Sequence, residues 1–176
     1  DVGRYVCHKN SSYLKYGQNL AAPRTFEIFS TPKIILREIT GQHPHSLLAC
    51  YNEEIVLFNR SNIAVNEKKD SPIGLKFILA LINSKLISCY FQLNTAKAVR
   101  KLFPKIILND LRKFPIKIAS PNQQNIIVEK VDTILINKKE NSAADTSSLE
   151  AEIDQLVYRL YGLTEEEIGI VEGSVG

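Results

Sequence analysis

The chain has 176 residues, 44% apolar and 23% charged, which suits one buried core, alone or with a helical appendage, and excludes both a disordered chain and two ordinary domains. Its net charge of +3 conceals a division. Residues 1–120 hold 18 of the 22 Lys and Arg and 8 of the 19 Asp and Glu, whereas residues 121–176 hold 4 basic and 11 acidic residues, so a basic body is joined to an acidic tail, as expected of a polyanion binder.

From the start, residues 1–29 mix short apolar pairs with Gly, Asn, Ser and Pro and read as irregular segments with short strands. TPKIILREIT (31–40) reads as a strand, apolar on both faces near its start and therefore central in a sheet. Gly41–His45 form a turn. SLLACYN and EEIVLFNRSNIAV supply two or three further strands, broken at Asn52 and at Asn59 to Asn62. Asp70 or Ser71 is positioned to cap a helix with Pro72 in its first turn, followed by an amphipathic helix of about four turns through GLKFILALINSKLISCYF. Pro104 ends any helix in NTAKAVRKLFPKI, Ile106 to Leu108 reads as a strand, and NDLRKFPIKI as a turn and short strand ending at Ser120.

A helical regime starts at residue 120. Ser120, Pro121 and Gln123 form a capped start to a helix whose stripe is Ile127, Val131, Ile134 and Lys138. A second helix is expected with Ser147 as cap and Glu150 as its reciprocal partner, carrying Leu149, Ile153, Leu156, Val157 and Leu160 on one face. Gly162 closes it, and Thr164 with Glu167 opens a short third helix through Val171. The expected fold class is mixed α+β: a mostly β body over 1–120, then an antiparallel helical hairpin for support or docking over 121–176.

Chemical motifs are scarce. Cys7, Cys50 and Cys89 are odd in number and widely spaced, which argues against a disulfide scaffold and for a reducing compartment. His8, His43 and His45 lack zinc-site spacing, so no metal is expected; His43 and His45 flank Pro44 in a polar turn. Glu53 and Glu54 are adjacent and would point to opposite faces of an extended segment. No glycine-rich cofactor loop, G-x-S-x-G or Walker A occurs. No apolar run approaches the roughly 20 residues that cross a bilayer, and a cytoplasmic location is expected. There is no methionine, so the chain reads as part of a longer protein.

TPKIILREIT (31–40), IGLKFILALINSKLISCYF (73–91), LFPKIILNDLRKFPIKI (102–118), QQNIIVEKVDTIL (123–135) and EAEIDQLVYRLYGLTEEEI (150–168) together resemble the TaqI-like C-terminal specificity domain. That domain occurs in type II and IIG adenine-N6 DNA methyltransferases and restriction–modification enzymes, and is related to the target-recognition domains of type I specificity subunits. The resemblance implies a module that reads double-stranded DNA and leans on catalytic domains of the same parent chain. S-adenosylmethionine, and Mg2+ where cleavage occurs, would serve the parent. The family's N-P-P-[YF] motif is absent, so no catalytic residue and no cofactor are expected in this chain.

Reading DNA requires cations on phosphates and polar groups on base edges. The phosphate candidates are Lys9, Lys15, Arg24, Lys33, Lys97, Arg100, Lys101 and Lys105. Lys97, Arg100 and Lys101 cluster in NTAKAVRKL, as a DNA contact or as an exposed basic face. Arg37 suits a bidentate guanine contact or an ion pair with Glu27, Glu38 or a distant acid. Gln18, Asn19, Gln42 and Asn94 suit adenine edges or turn capping. Tyr13, Tyr16, Tyr51, Phe58 and Tyr90 either stack on a displaced base or belong to the core. A rival reading makes the module a docking domain, supported if the apolar stripes of 123–135 and 149–160 were exposed.

Overall fold

The computed structural model describes residues 1–8, 13, 15–20, 23–95, 98 and 103–173. In chain order the elements are α1 (Glu27–Ser30), β1 (Lys33–Arg37), β2 (Ala49–Asn52), β3 (Asn62–Asn66), α2 (Leu75–Asn83), α3 (Lys85–Asn94), α4 (Leu108–Leu111), α5 (Pro121–Glu140), α6 (Ser147–Tyr161) and α7 (Glu165–Val171). The mixed α+β class is as the sequence implies.

The strands form an antiparallel sheet in the order β2-β1-β3, so β1 is central as its two apolar faces require. Paired residues share a face. Ile34 stands opposite Tyr51 and Val65, and Leu36 opposite Ala49 and Ile63; this face joins the main core. The opposite face carries Lys33, Ile35 and Arg37 of β1 with Asn66, Ala64 and Asn62 of β3. Ile35 and Cys50 there form a small satellite core with Val2. Residues 53–58 form no strand, and β3 begins at Asn62, a position expected to break a strand.

The expected four-turn helix is two helices. Ser84 adopts an extended backbone, and its Oγ accepts from Ile87 N at 3.3 Å, starting α3 afresh. α2 is buried on almost every side because it lies between the sheet and α5. Its start also differs: Gly74 is the N-cap, without a side-chain bond. Ser71 instead closes a turn through the N–H and carbonyl of Ile73. Ile106 to Leu108 form no strand, Ile106 N instead closing an isolated bridge between Lys105 and Ile39 by donating to Glu38 O, and residues 115–120 form neither helix nor strand. Tyr161 holds that stretch, donating to Pro115 O at 2.6 Å and accepting from Lys117 N at 3.1 Å.

The helical part follows the sequence closely. Ser120 and Gln123 cap α5 reciprocally, and Thr164 and Glu167 do the same for α7. Gly162 ends α6 at φ 75°. The cap of α6 is Thr146 rather than Ser147. Thr146 Oγ1 donates to the buried Glu150 at 2.6 Å, and the second carboxylate oxygen of Glu150 receives Arg4. Ile127, Val131 and Ile134 of α5 and Ile153, Val157 and Leu160 of α6 are buried in the same cluster as Ile34, Leu36 and α2. One core therefore runs through residues on both sides of position 120, and the exposed stripes that would have favoured a docking role are filled within the chain.

Candidate nucleic-acid interface

The outer face of the sheet is built by alternation. In β3, Ile63 and Val65 turn toward the main core, so Asn62 and Asn66 turn away from it. β3 is an edge strand, and the turn before it brings Arg60 to its start. A cleft of about 400 Å³ opens there, edged by Arg24, Arg60, Glu38, Asn62 and Asn66 over apolar ground that includes Ile28 and Ile106. A second hollow of about 350 Å³ adjoins it, sharing Ile28 and Asn66. Neither Arg24 nor Arg60 has a carboxylate partner among the described residues. Both side chains are exposed, so each guanidinium keeps its hydrogen-bond donors for a ligand.

The site residues expected from sequence separate into several groups. Arg24 stands on the cleft. Lys105 joins it indirectly, with Nζ 3.3 Å from Glu38. Arg37 shares the outer face with Asn62, half-exposed, with a guanidinium nitrogen 4.0 Å from the Asp1 carboxylate. Lys15 and Gln18 are exposed away from the described cleft lining. Lys33 is a correction: it is fully buried, donating to Thr31 O at 2.8 Å and Glu54 O at 2.9 Å. Burial lowers its pKa from the ordinary lysine value, and an ammonium held inside by two carbonyls has no path to a phosphate. Lys9, Lys97, Arg100 and Lys101 lie outside the described residues.

Of the candidate base readers, Asn94 caps its own helix, donating to Tyr90 O at 2.9 Å, while Asn19 and Gln42 are exposed. Among the aromatics, Tyr16 and Phe58 both pack on Phe29 beside the sheet. Tyr90 packs on Phe114 and donates to Lys113 O. Tyr51 donates to Glu53 at 2.9 Å beneath Lys76; its hydroxyl pKa is pushed up to about 12, by burial first and then by that bond. Tyr13 alone of the five is wholly exposed.

Arg60, Asn62 and Asn66 were not read as site residues from the sequence. The available signal was the alternation in NIAVN, in which polar side chains hold one face of a strand and apolar side chains the other. An arginine–asparagine cleft offers fork-shaped donors to guanine or phosphate and a donor–acceptor amide from Asn62 to adenine, while Asn66, whose Nδ2 donates to Thr31 Oγ1 at 2.8 Å, keeps its carbonyl oxygen and its second N–H for a ligand.

Comparison with known proteins identifies the family. The family model of the TaqI-like C-terminal specificity domain matches residues 1–116. A protein of Methanocaldococcus jannaschii, assigned as a candidate type II restriction enzyme and methyltransferase, is 30% identical over 159 residues. That match takes in 87% of the present chain and 13% of the relative, so the chain spans about an eighth of the relative's length. With the family model covering well over half of the residues, the chain belongs to the TaqI-like C-terminal specificity domain family.

Proposed function

We propose that this chain recognises a specific sequence in double-stranded DNA on behalf of a restriction–modification protein. The observation that carries the reading is the cleft along β3, where two guanidinium groups without carboxylate partners among the described residues stand with two strand-borne asparagines in a chain of the specificity family. Arg24 and Arg60 hold phosphates or a guanine edge, Asn62 and Asn66 meet base edges, and Lys15, Gln18, Arg37 and Lys105 extend the contact surface. The residues before position 120 act as the recognition body, and the helices after it support that body against the catalytic part. The parent is an adenine-N6 DNA methyltransferase, with or without endonuclease activity, in the cytoplasm. S-adenosylmethionine, and Mg2+ if the parent cuts, belong to its other domains, and this chain performs no chemistry.

Fluorescence anisotropy of the chain with labelled duplex DNA tests the reading, after enrichment of preferred duplexes from a random pool. Salt-sensitive binding with one enriched sequence is expected. A folded sample that gives a flat titration at low salt would refute it. Asn62→Ala or Asn66→Ala should relax preference at one base position, whereas Arg24→Ala on a phosphate should weaken all duplexes alike.

A further inference from the structure

Phe103 combines two features that the fold itself does not require. Its backbone is left-handed at φ 52°, a conformation that is costly for a bulky side chain. Its ring is 66% exposed, so core packing does not account for the strain. The residues that follow are held firmly. Pro104 O accepts from Thr40 N at 3.0 Å and Thr40 Oγ1 at 3.2 Å, Lys105 bridges Ile39, and Ile106 N donates to Glu38 O at 3.0 Å. Phe103 is therefore mounted at the end of a short segment stapled to the sheet.

The surroundings indicate what the ring meets. Ile106 of this stapled segment and Glu38, its partner at the end of β1, line the arginine–asparagine cleft, as does the half-exposed Leu108. Lys105 lies two residues on, its ammonium 3.3 Å from Glu38 at the rim of that cleft, and Arg100 and Lys101 precede Phe103 in sequence. An apolar projection on a basic stretch of sequence, beside a cleft edged by Arg24 and Arg60, suits a polyanion with an apolar interior better than it suits a protein partner, which would leave those charges to be desolvated. Duplex DNA has this composition, with phosphates outside and stacked bases within. Phe is among the side chains that enter a base step while neighbouring cations grip the backbone.

We infer that Phe103 is a wedge that enters a base step of the bound duplex and unstacks it, so that part of the specificity arises from how easily the step opens. The inference rests on the DNA-recognition reading. Its test uses the chain and its enriched duplex, with 2-aminopurine replacing each adenine in turn; the fluorescence of this base rises on unstacking. The native chain and Phe103→Trp should raise the signal severalfold at one position. Phe103→Ala should remove that rise and weaken binding to the enriched duplex by about tenfold, roughly the range of one mismatched contact, with unchanged melting temperature. Phe103→Gly should lose the rise while melting no lower than the native chain, because glycine accepts the left-handed backbone freely.

Tight binding with no rise at any position would overturn the wedge and leave DNA recognition standing. An undiminished rise in Phe103→Ala would do the same. A large fall in melting temperature for both the Ala and Gly variants would assign the ring to folding instead. Absence of duplex binding by the native chain would overturn both readings, and a protein captured on this ridge in place of DNA would redirect the surface to a different partner.

Discussion

Asn83 uses both halves of its side-chain amide on the backbone of Ala49: Nδ2 donates to Ala49 O and Oδ1 accepts from Ala49 N, each at 3.0 Å. Asn83 is buried at the end of α2 and Ala49 is buried in β2, so water cannot replace these bonds. Asn83→Ala should cost about 2 kcal/mol in urea unfolding, the penalty for leaving buried backbone groups unpaired; a loss within error of zero would show that the amide does not clamp the two elements. Nearby, Asp154 is buried with Oδ1 accepting from Lys85 N at 2.9 Å and Oδ2 without a hydrogen-bond partner among the described residues. Burial raises its pKa to about 6, opposed in part by Lys85 and Arg4 and reinforced by Glu172. His45, whose Nδ1–H donates to Asn83 O at 3.2 Å, has its pKa lowered to about 4, first by burial and then by Arg4. The signs are opposite. Asp154 takes up its proton more readily folded than unfolded, so its contribution makes the fold more stable as pH falls from about 6 toward 4. His45 resists protonation when folded, so its contribution is lost as pH falls from 6.5 toward 4. The two offset each other in the native chain. Asp154→Asn should uncover a loss of stability on acidification, and His45→Gln a gain, in denaturation curves taken at pH 4, 5, 6 and 7; unchanged slopes in both variants would contradict this pairing.

At the scale of elements, what was legible in sequence depended on how locally each element is determined. α5 and α7 begin where Ser-Pro-x-Gln and Thr-x-x-Glu say they should, because a capping box is closed within four residues. The division at Ser84 was harder to read. Apolar periodicity runs through LALINSKLIS without interruption, and the break comes from Asn83 being drawn onto β2, a strand more than 30 residues away, and from Ser84 locally capping the next helix. The cap of α6 moved by one residue for a similar reason, since Glu150 also answers to Arg4 from the far end of the chain. On the candidate site, Arg24 and Lys105 were visible as charges, but Lys33 could not be distinguished from an exposed lysine until the carbonyls of Thr31 and Glu54 converged on it. Gly162 offers a clean element-scale test. Nothing lies within 4 Å of a Cβ built there, so Gly162→Ala has only the left-handed backbone to contend with and should destabilise the chain by about 1 kcal/mol. A larger loss would mean that the α6–α7 corner packs more tightly than its open space implies.

Across the whole molecule, the division of charge in the sequence becomes a set of contacts. Arg4 pairs with Glu150, Lys76 with Asp132 and Lys85 with Glu172, so acidic side chains of the helical part neutralise basic side chains of the body. Arg24 and Arg60 are left outside this pairing. If they carry phosphate contacts, removing either one should reduce the slope of log affinity against log salt by about 1, whereas Lys76→Ala, whose charge already has a partner, should leave that slope unchanged. Titrations across salt concentrations check both. The shared core also implies a single unfolding transition, with calorimetric and van't Hoff enthalpies in agreement; two resolved transitions would mean that the helices melt apart from the sheet.

The two faces of β3 face different demands. Ile63 and Val65 are committed to the interior, while Arg60, Asn62 and Asn66 border open space on the edge of the sheet. Exchange at Arg60 or Asn62 should therefore shift stability by only about 0.5 kcal/mol, and at Asn66, whose Nδ2 donates to Thr31 Oγ1 at 2.8 Å, by about 1 kcal/mol; a combinatorial library randomised there should yield mostly soluble, cooperatively melting proteins. A lineage could then drift from one target word to another through neutral intermediates, its scaffold unaltered while its vocabulary changes.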